Sequence, residues 1–541
     1  MTATDDLRAA AERWLDDDPD PASRDELRAS IAAALNGDGA DLADRFAGPL
    51  QFGTAGLRGP LRAGPNGMNR AVVRQAAAGL VAWLAAGDVP GPLVIGYDAR
   101  HGSRDFAEET ARVASGAGRR ALILPRPLPT PVLASAVRKL GAAAGVMVTA
   151  SHNPPQDNGY KVYLSDGAQL VPPADAEIEA AIRAVGPLRE VPLGEPGEVL
   201  PESIVESYVD AAVARAEPGG PRGLTVAYTP LHGVGASVLT EVLRRAGFVD
   251  LAVVPEQGDP DPDFPTVAFP NPEEPGAMDR VIALAAARGA DLALANDPDA
   301  DRCAVAVRVA DGGYRMLRGD EVGVLLADHL MRRGVTGRYA TTIVSSSLLG
   351  ALCAARGQQY GETLTGFKWI VRAGENLVYG YEEALGYCVA PELVRDKDGM
   401  TAMLLVCELA AGLKAVGQTL LDRLDDLARE FGVYATDQLS VRVTRLSEIS
   451  RAMTHIRRHP PAALLDEPIS DTDDLLPDAD VLTLRTPSAR VVVRPSGTEP
   501  KLKAYLEVIE PVTGGDVKAA RERAAAGLAA LRAEAATALG L

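Results

Sequence analysis

The strongest constraint in this sequence is an alternation. Apolar runs of strand length alternate with amphipathic runs of helical length, and the pattern restarts twice. Residues 93–97 (LVIGY), 120–124 and 143–149 read as strands, with helices over 105–116 and 131–140 between them. A second series follows a Pro/Gly-rich stretch at 187–201. It has a helix near 205–215, strands at 224–228, 251–255 and 291–295, and helices at 235–246 and 276–288. A third opens with a helix at 320–333 and a strand at 341–345. Such alternation predicts mostly parallel sheets with helices on both faces. The C-terminal part differs: strands at 433–443, 481–485, 489–493 and 502–508 precede a long Ala/Arg/Glu helix, the pattern of a smaller α+β domain. The first 45 residues read as two short helices. The predicted fold class is therefore α/β, with three α/β domains at 1–204, 205–319 and 320–430 and an α+β domain at 431–541.

The 541 residues suit three or four domains at about 150 residues each. Aromatics are only 4%, so the cores are expected to rest on Ala, Val and Leu. Lys plus Arg number 55 against 73 Asp plus Glu, a net charge of -18. That field repels nucleic acid and anionic membrane, so neither is an expected partner. An anionic substrate would need a locally basic site. Cys303, Cys353, Cys388 and Cys407 form no CxxC pair, which argues against a zinc knuckle or a disulfide framework. The Asp-rich start does not resemble a secretory signal, and no apolar run reaches the ~20 residues that span a bilayer. The expected location is the cytoplasm.

Three loops carry the chemistry. In TASHNPPQDNGYKVY at 149–163, Ser151 follows a strand, where open α/β sheets place ligands. Pro154 and Pro155 stiffen the loop, and Asn158-Gly159 reads as a tight turn returning Lys161 toward the serine. A serine hydroxyl needs a base, a metal-bound phosphate or a donor hole to react, and His152 and Lys161 are both candidates. In NDPDADR at 296–302, Asp297, Asp299 and Asp301 alternate directly after a strand. Carboxylates so close repel each other unless a cation lies between them. An EF-hand would need Gly and Glu where Arg302 and Arg308 stand, so hard oxygen ligands at a strand end point to Mg²⁺. In RPSGTEPK at 494–501, Arg494, Ser496, Thr498 and the backbone around Gly497 form a cradle for a phosphate dianion, with Lys501 and Lys503 adding charge.

Four further segments say little alone: FGTAGLRG at 52–59 with Arg58, GYEEALG at 380–386 with Glu382 and Glu383, GFKWI at 366–370 and TPLHGVG at 229–235. Taken together, the loops describe phosphoryl transfer on a small phosphorylated molecule, in a cleft where the domains meet.

On these residues the chain resembles the α-D-phosphohexomutase superfamily of phosphoglucomutases and phosphomannomutases, over nearly its whole length. The resemblance implies three topologically related α/β domains and a C-terminal α+β domain around a central cleft. It implies that Ser151 is the phosphoserine and that Asp297, Asp299 and Asp301 hold Mg²⁺ with a phosphoserine oxygen. Lys161 would be the general acid/base. His152 and Arg58 would orient the transferring group, and Arg302 would lie beside the metal loop. Glu382 would bind a sugar hydroxyl, and Arg494, Ser496, Gly497 and Thr498 the non-reacting phosphate. Phosphoserine would donate to a sugar monophosphate, and the resulting bisphosphate, also the activator, would turn and return its other phosphate. The expected partner is a small phosphosugar, and the expected assembly a monomer or dimer.

One loop departs from the family pattern. Most relatives read GEES or GEMS where this chain reads YEEA, so Ala384 replaces a hydroxyl and Tyr381 a glycine. If Ala384 does not face the sugar, selection would fall to Lys368 or Tyr381. The opening loop, GFKWI and EEALG resemble the branch of phosphopentomutases and glucose-1,6-bisphosphate synthases. A hexose phosphate is the expected substrate, with a pentose phosphate or bisphosphate synthesis as alternatives. A non-catalytic sugar-phosphate binder would need neither nucleophile nor metal.

Overall fold

A computed structural model of the chain describes residues 3–51, 56–443, 445–496 and 501–540. It divides into two compact units, Met1–Leu317 with Gly386–Gly412 and Arg318–Leu385 with Leu413–Leu541.

The first unit holds two sheets built on one plan. Strands β1 (Leu57–Pro60), β2 (Leu93–Tyr97), β3 (Ala121–Ile123), β4 (Ala144–Val148), β5 (Asp157–Leu164) and β6 (Glu198–Val199) line up as β1-β5-β4-β2-β3-β6. β4, β2, β3 and β6 are parallel, while β5 runs antiparallel to both β4 and β1. β2 and β4 are buried along their whole length, as continuous apolar runs between helical layers must be. Strands β7 (Thr225–Thr229), β8 (Asp250–Val253), β9 (Leu292–Ala295), β10 (Ala304–Arg308) and β11 (Tyr314–Met316) repeat the plan as β11-β10-β9-β7-β8. Again three strands are parallel, and an antiparallel strand follows the third. The serine loop thus joins β4 to β5, and the acidic loop joins β9 to β10. They are the same connection in two copies of one topology.

In the second unit β12 (Arg338–Thr342), β13 (Gln359–Thr363) and β14 (Leu377–Glu382) are parallel, with β12 between the others. The EEA loop again follows the third strand. The C-terminal sheet is antiparallel in the order Val433–Arg442, Lys501–Glu510, Ala489–Pro495, Leu482–Arg485, Asp471–Asp474. Its core packs Val491, Val493, Leu502 and Leu506 against Ile449, Met453, Ile456, Leu531 and Leu539 of the helices Leu446–Arg458 and Val517–Leu539. Each such side chain withdrawn from water contributes about 1.5–3 kcal/mol.

Three expectations are corrected. The opening segment forms three helices, Ala3–Asp17, Pro21–Leu35 and Ala40–Arg45, because Asp20 caps the second one, accepting from the Ala22 N–H at 3.1 Å. Asn158-Gly159 is no turn: both lie within β5, where Asn158 pairs with Gly59 and Gly159 with Arg58 of the antiparallel β1. The strand expected at 341–345 ends at Thr342, where Ser345 turns away to hydrogen-bond Glu383 at 2.9 Å. The core rests on Ala, Val and Leu as expected, but its largest fully buried side chains are mostly tyrosines. Several of their hydroxyls have partners: Tyr228 donates to Asn296, Tyr163 to Asp396, Tyr208 to Asp398 and Tyr381 to Asp320.

Candidate active site

The two connections of the first unit meet. Ser151 Oγ donates to Asp297 Oδ2 at 2.7 Å, and His152 Nδ1 lies 3.2 Å from Ser151 Oγ. The Ser151 backbone sits in the left-handed region at φ 52°, a conformation that costs a non-glycine residue about 1 kcal/mol or more. Arg58, on β1, donates to Asn153 Oδ1 at 3.0 Å and so reaches the serine loop. Burial, together with Arg302 and Arg58, holds the His152 imidazole well below its usual pKa, so it is neutral.

Asp297, Asp299 and Asp301 are fully buried, with one oxygen from each within 4.8 Å of the others. Asp299 Oδ2 accepts from the Thr130 hydroxyl at 2.6 Å and from Lys161 Nζ at 2.7 Å. Lys161 Nζ also donates to Asp301 Oδ2 at 3.0 Å. The Oδ1 atoms of Asp299 and Asp301 are buried with no hydrogen-bond partner among the described residues. Burial, then Asp301 and Asp299, push the Asp297 carboxyl up to about 8. Burial would raise Asp301 too, but Lys161, Lys397 and Arg302 outweigh it and hold that group below the carboxylate range. Burial opposes the Lys161 charge, yet Asp299 and Asp301 prevail and raise its pKa, so it is an ammonium at neutral pH. Three crowded carboxylates and two orphaned buried oxygens are a donor set that fits a hard divalent cation.

The support of the acidic loop was not legible in the sequence. TPLHGVG packs beneath it: Val234 N–H donates to Pro298 O at 2.8 Å, and a Cβ on Gly233 would lie 2.3 Å from Pro298 Cα. Lys397 is a second residue that sequence reasoning missed. Its Nζ lies 3.4 Å from Asp301 Oδ2 and 3.8 Å from Asp396 Oδ1. The one available signal was the acidic–basic run RDKDG, a poor one without a fold. Arg302 lies beside the loop, its N–H donating to Asp297 Oδ1 at 3.1 Å and its guanidinium 3.5 Å from Glu273.

In the second unit Glu382 ends β14, and Glu383 accepts from the hydroxyls of Ser345 (2.9 Å) and Thr342 (3.2 Å). Arg494 stands near the end of its strand, and Ser496 N–H donates to Lys501 O at 2.8 Å. Burial chiefly raises the Tyr505 phenol. Glu383 and Glu382 raise it further and Arg494 opposes them, so loop and clamp residues act on one side chain. Lys368 lies buried in the short helix Phe367–Ile370, its Nζ 5.5 Å from the Trp369 ring centre. Ala384 is half-buried in the loop after β14. Tyr381 does not stand with the loop's polar groups. It is fully buried, donating to Asp320 Oδ1 at 3.2 Å, and packs where a Cβ on Gly323 would come within 2.6 Å of its ring. Gly497 and Thr498 lie outside the described residues.

Comparison with known proteins agrees with this geometry. Residues 49–188, 206–312 and 318–431 match the alpha/beta/alpha domains I, II and III of the phosphoglucomutase/phosphomannomutase family, and 441–524 its C-terminal domain. The chain is 45% identical over 453 residues to a probable phosphomannomutase of Haemophilus influenzae, covering 82% of this chain and 93% of that protein. It is 34% identical over 567 residues to a probable phosphoribomutase of Schizosaccharomyces pombe, covering 92% and 93%. A phosphoglucomutase/phosphomannomutase family protein from Burkholderia thailandensis shares the fold, with a TM-score of 0.67 at 19% identity over 88% of this chain and 96% of that one. No single helix among the described residues is long and apolar enough to cross a membrane. The four domain matches and the near full-length identity lead to one conclusion: the chain belongs to the phosphoglucomutase/phosphomannomutase family of the α-D-phosphohexomutase superfamily and is a phosphosugar mutase.

Proposed function

We propose that Ser151 carries the phosphoryl group between the two oxygens of a hexose phosphate. The contact of its Oγ with Asp297 at 2.7 Å, beside a buried triad with two orphaned oxygens, is the observation that supports this reading best. Asp297, Asp299 and Asp301 would hold Mg²⁺, which offsets negative charge on the transferring group when bound. In the transfer, the bond from Ser151 Oγ to phosphorus breaks as a sugar hydroxyl oxygen bonds that phosphorus. Lys161, held as an ammonium, gives a proton to the departing Oγ and recovers one from the sugar hydroxyl. Arg58 and neutral His152 orient the phosphoryl oxygens. The second transfer reverses these steps at the other end of the sugar bisphosphate, which also charges Ser151 at the outset. Arg494, Ser496, Gly497 and Thr498 would bind the phosphate that is not reacting, and Glu382 a sugar hydroxyl.

The test is twofold. Incubation with glucose 1,6-bisphosphate should add one phosphate to the intact protein, mapped to Ser151, and Ser151→Ala should take up none. A kcat/KM comparison of glucose, mannose and ribose 1-phosphates then assigns the sugar. The phosphoribomutase relative supports pentose phosphate as a second reading, favoured if ribose 1-phosphate gives the highest value. Net release of bisphosphate without isomerised product would indicate a bisphosphate synthase.

A further inference from the structure

A serine in the left-handed region must be held there, and the holding group comes from another strand. Arg100 lies just past β2 and is buried. Its Nη2 donates to Ser151 O at 2.6 Å and Asn153 O at 2.5 Å, and its Nη1 to Pro154 O at 2.9 Å and Asp157 O at 3.2 Å. One guanidinium therefore gathers four carbonyls of the serine loop. The side chain is itself fixed. Asp98 Oδ1 accepts the Arg100 backbone N–H at 3.0 Å, and Asp98 Oδ2 lies 3.4 Å from Nε. The Phe264 ring stacks against the guanidinium, 4.8 Å from Cζ to the ring centre, and Phe264 also sits at positive φ, 46°. Phe264 belongs to the chain segment that follows β8, so the grip joins both sheets of the first unit.

We infer that Arg100 is a positioning residue for phosphoryl transfer, holding the Ser151 backbone in its left-handed conformation so that Oγ is presented to Asp297. The inference rests on the reading of Ser151 as phosphoryl carrier. Arg100 does not contact Ser151 Oγ; it acts through the loop backbone. Only a planar fork of donors can reach four carbonyls at once, and a lysine ammonium cannot. Without the fork the loop relaxes toward ordinary backbone conformations, and a displacement of Oγ by about 1 Å costs on the order of 100-fold in rate.

The experiment compares wild type, Arg100→Lys and Phe264→Leu. Phosphate uptake on Ser151 from glucose 1,6-bisphosphate is followed by intact mass, alongside kcat, KM and thermal unfolding. Arg100→Lys should unfold cooperatively, keep KM within about threefold and lose about 100-fold in both kcat and phosphorylation rate. A merely structural role would lower the melting temperature and leave both rates per folded chain unchanged, and that result overturns the inference. Should Arg100→Lys fail to fold, Phe264→Leu decides, because it frees the guanidinium without removing a hydrogen bond. A several-fold loss of kcat at unchanged KM supports the inference, and wild-type kcat overturns it. If wild type itself takes up no phosphate on Ser151, the carrier reading fails first and the inference with it.

Discussion

Ser151 and Asp297 are 146 residues apart in sequence, yet the serine hydroxyl donates to the Asp297 carboxylate at 2.7 Å. The contact joins the β4–β5 loop of one sheet to the β9–β10 loop of the next. Because both loops occupy the same topological position, two copies of one fold plan suffice to face a nucleophile toward a cation site.

Ser151→Ala should abolish mutase turnover while leaving the melting temperature within a few degrees of wild type. The hydroxyl is the only covalent carrier in the proposed cycle, and its removal deletes one hydrogen bond worth about 1 kcal/mol. Steady-state kinetics and thermal unfolding check both halves. Wild-type kcat would exclude the phosphoserine cycle.

Asp299→Asn should raise the Mg²⁺ concentration giving half-maximal activity at least about tenfold, since second-sphere changes alone reach that size. Chelation of the wild type should abolish activity reversibly. Full activity after exhaustive chelation would mean that the triad's orphaned oxygens serve no catalytic metal.

The serine and acidic loops were legible in the sequence because their chemistry is contiguous: every reactive group sits within a few residues of its neighbours. Arg100 and Lys397 were not, because each reaches its partners only after the sheet has folded. Asn158-Gly159 was misread because turn propensity is local, whereas pairing with β1, about 100 residues earlier in the chain, is not. Tyr381, an alternative selector by its place in the sequence, is positioned by its strand rather than by its loop. Its loop suggests a sugar contact, but strand alternation points Tyr379 and Tyr381 the same way, into the core beside the helix Gly319–Arg332.

Arg494→Ala should raise KM by a similar factor, roughly 10- to 100-fold, for every sugar phosphate. A charge-assisted hydrogen bond is worth about 1.5–3 kcal/mol, and the proposed contact reads phosphate rather than sugar. An increase confined to one sugar would place Arg494 on the ring instead.

Asp320 gives a pH prediction in the second unit. Burial is the main cause that lifts its carboxyl from the ordinary 3.8 to about 7, with Glu383 and Glu507 adding to it. A raised acid binds its proton more tightly folded than unfolded. Its favourable contribution is fully present below the unfolded pKa and is lost as pH rises to about 7. The melting temperature of wild type minus that of Asp320→Asn should therefore fall by several degrees between pH 4 and 7. The asparagine carbonyl can still accept from Ser346 N–H and the Tyr381 hydroxyl, so the comparison isolates the charge. A difference independent of pH would show that Asp320 ionises alike in both states.

Gly233→Ala tests whether TPLHGVG matters through the acidic loop above it. The added methyl would fall 2.3 Å from Pro298 Cα, closer than carbon atoms approach, so the backbone of one segment must move. Overpacking of this kind costs about 1–3 kcal/mol, which a chain of this size can absorb without unfolding. The movement would be taken up where Val234 N–H holds Pro298 O, and Pro298 lies between Asp297 and Asp299. Mg²⁺ activation should therefore shift to higher concentration, and kcat at saturating Mg²⁺ should fall, while KM for the sugar phosphate stays near wild type. A loss of melting temperature with unchanged Mg²⁺ dependence would mean that the glycine serves packing alone, and that the triad is positioned by Thr130 and Lys161 without help from below.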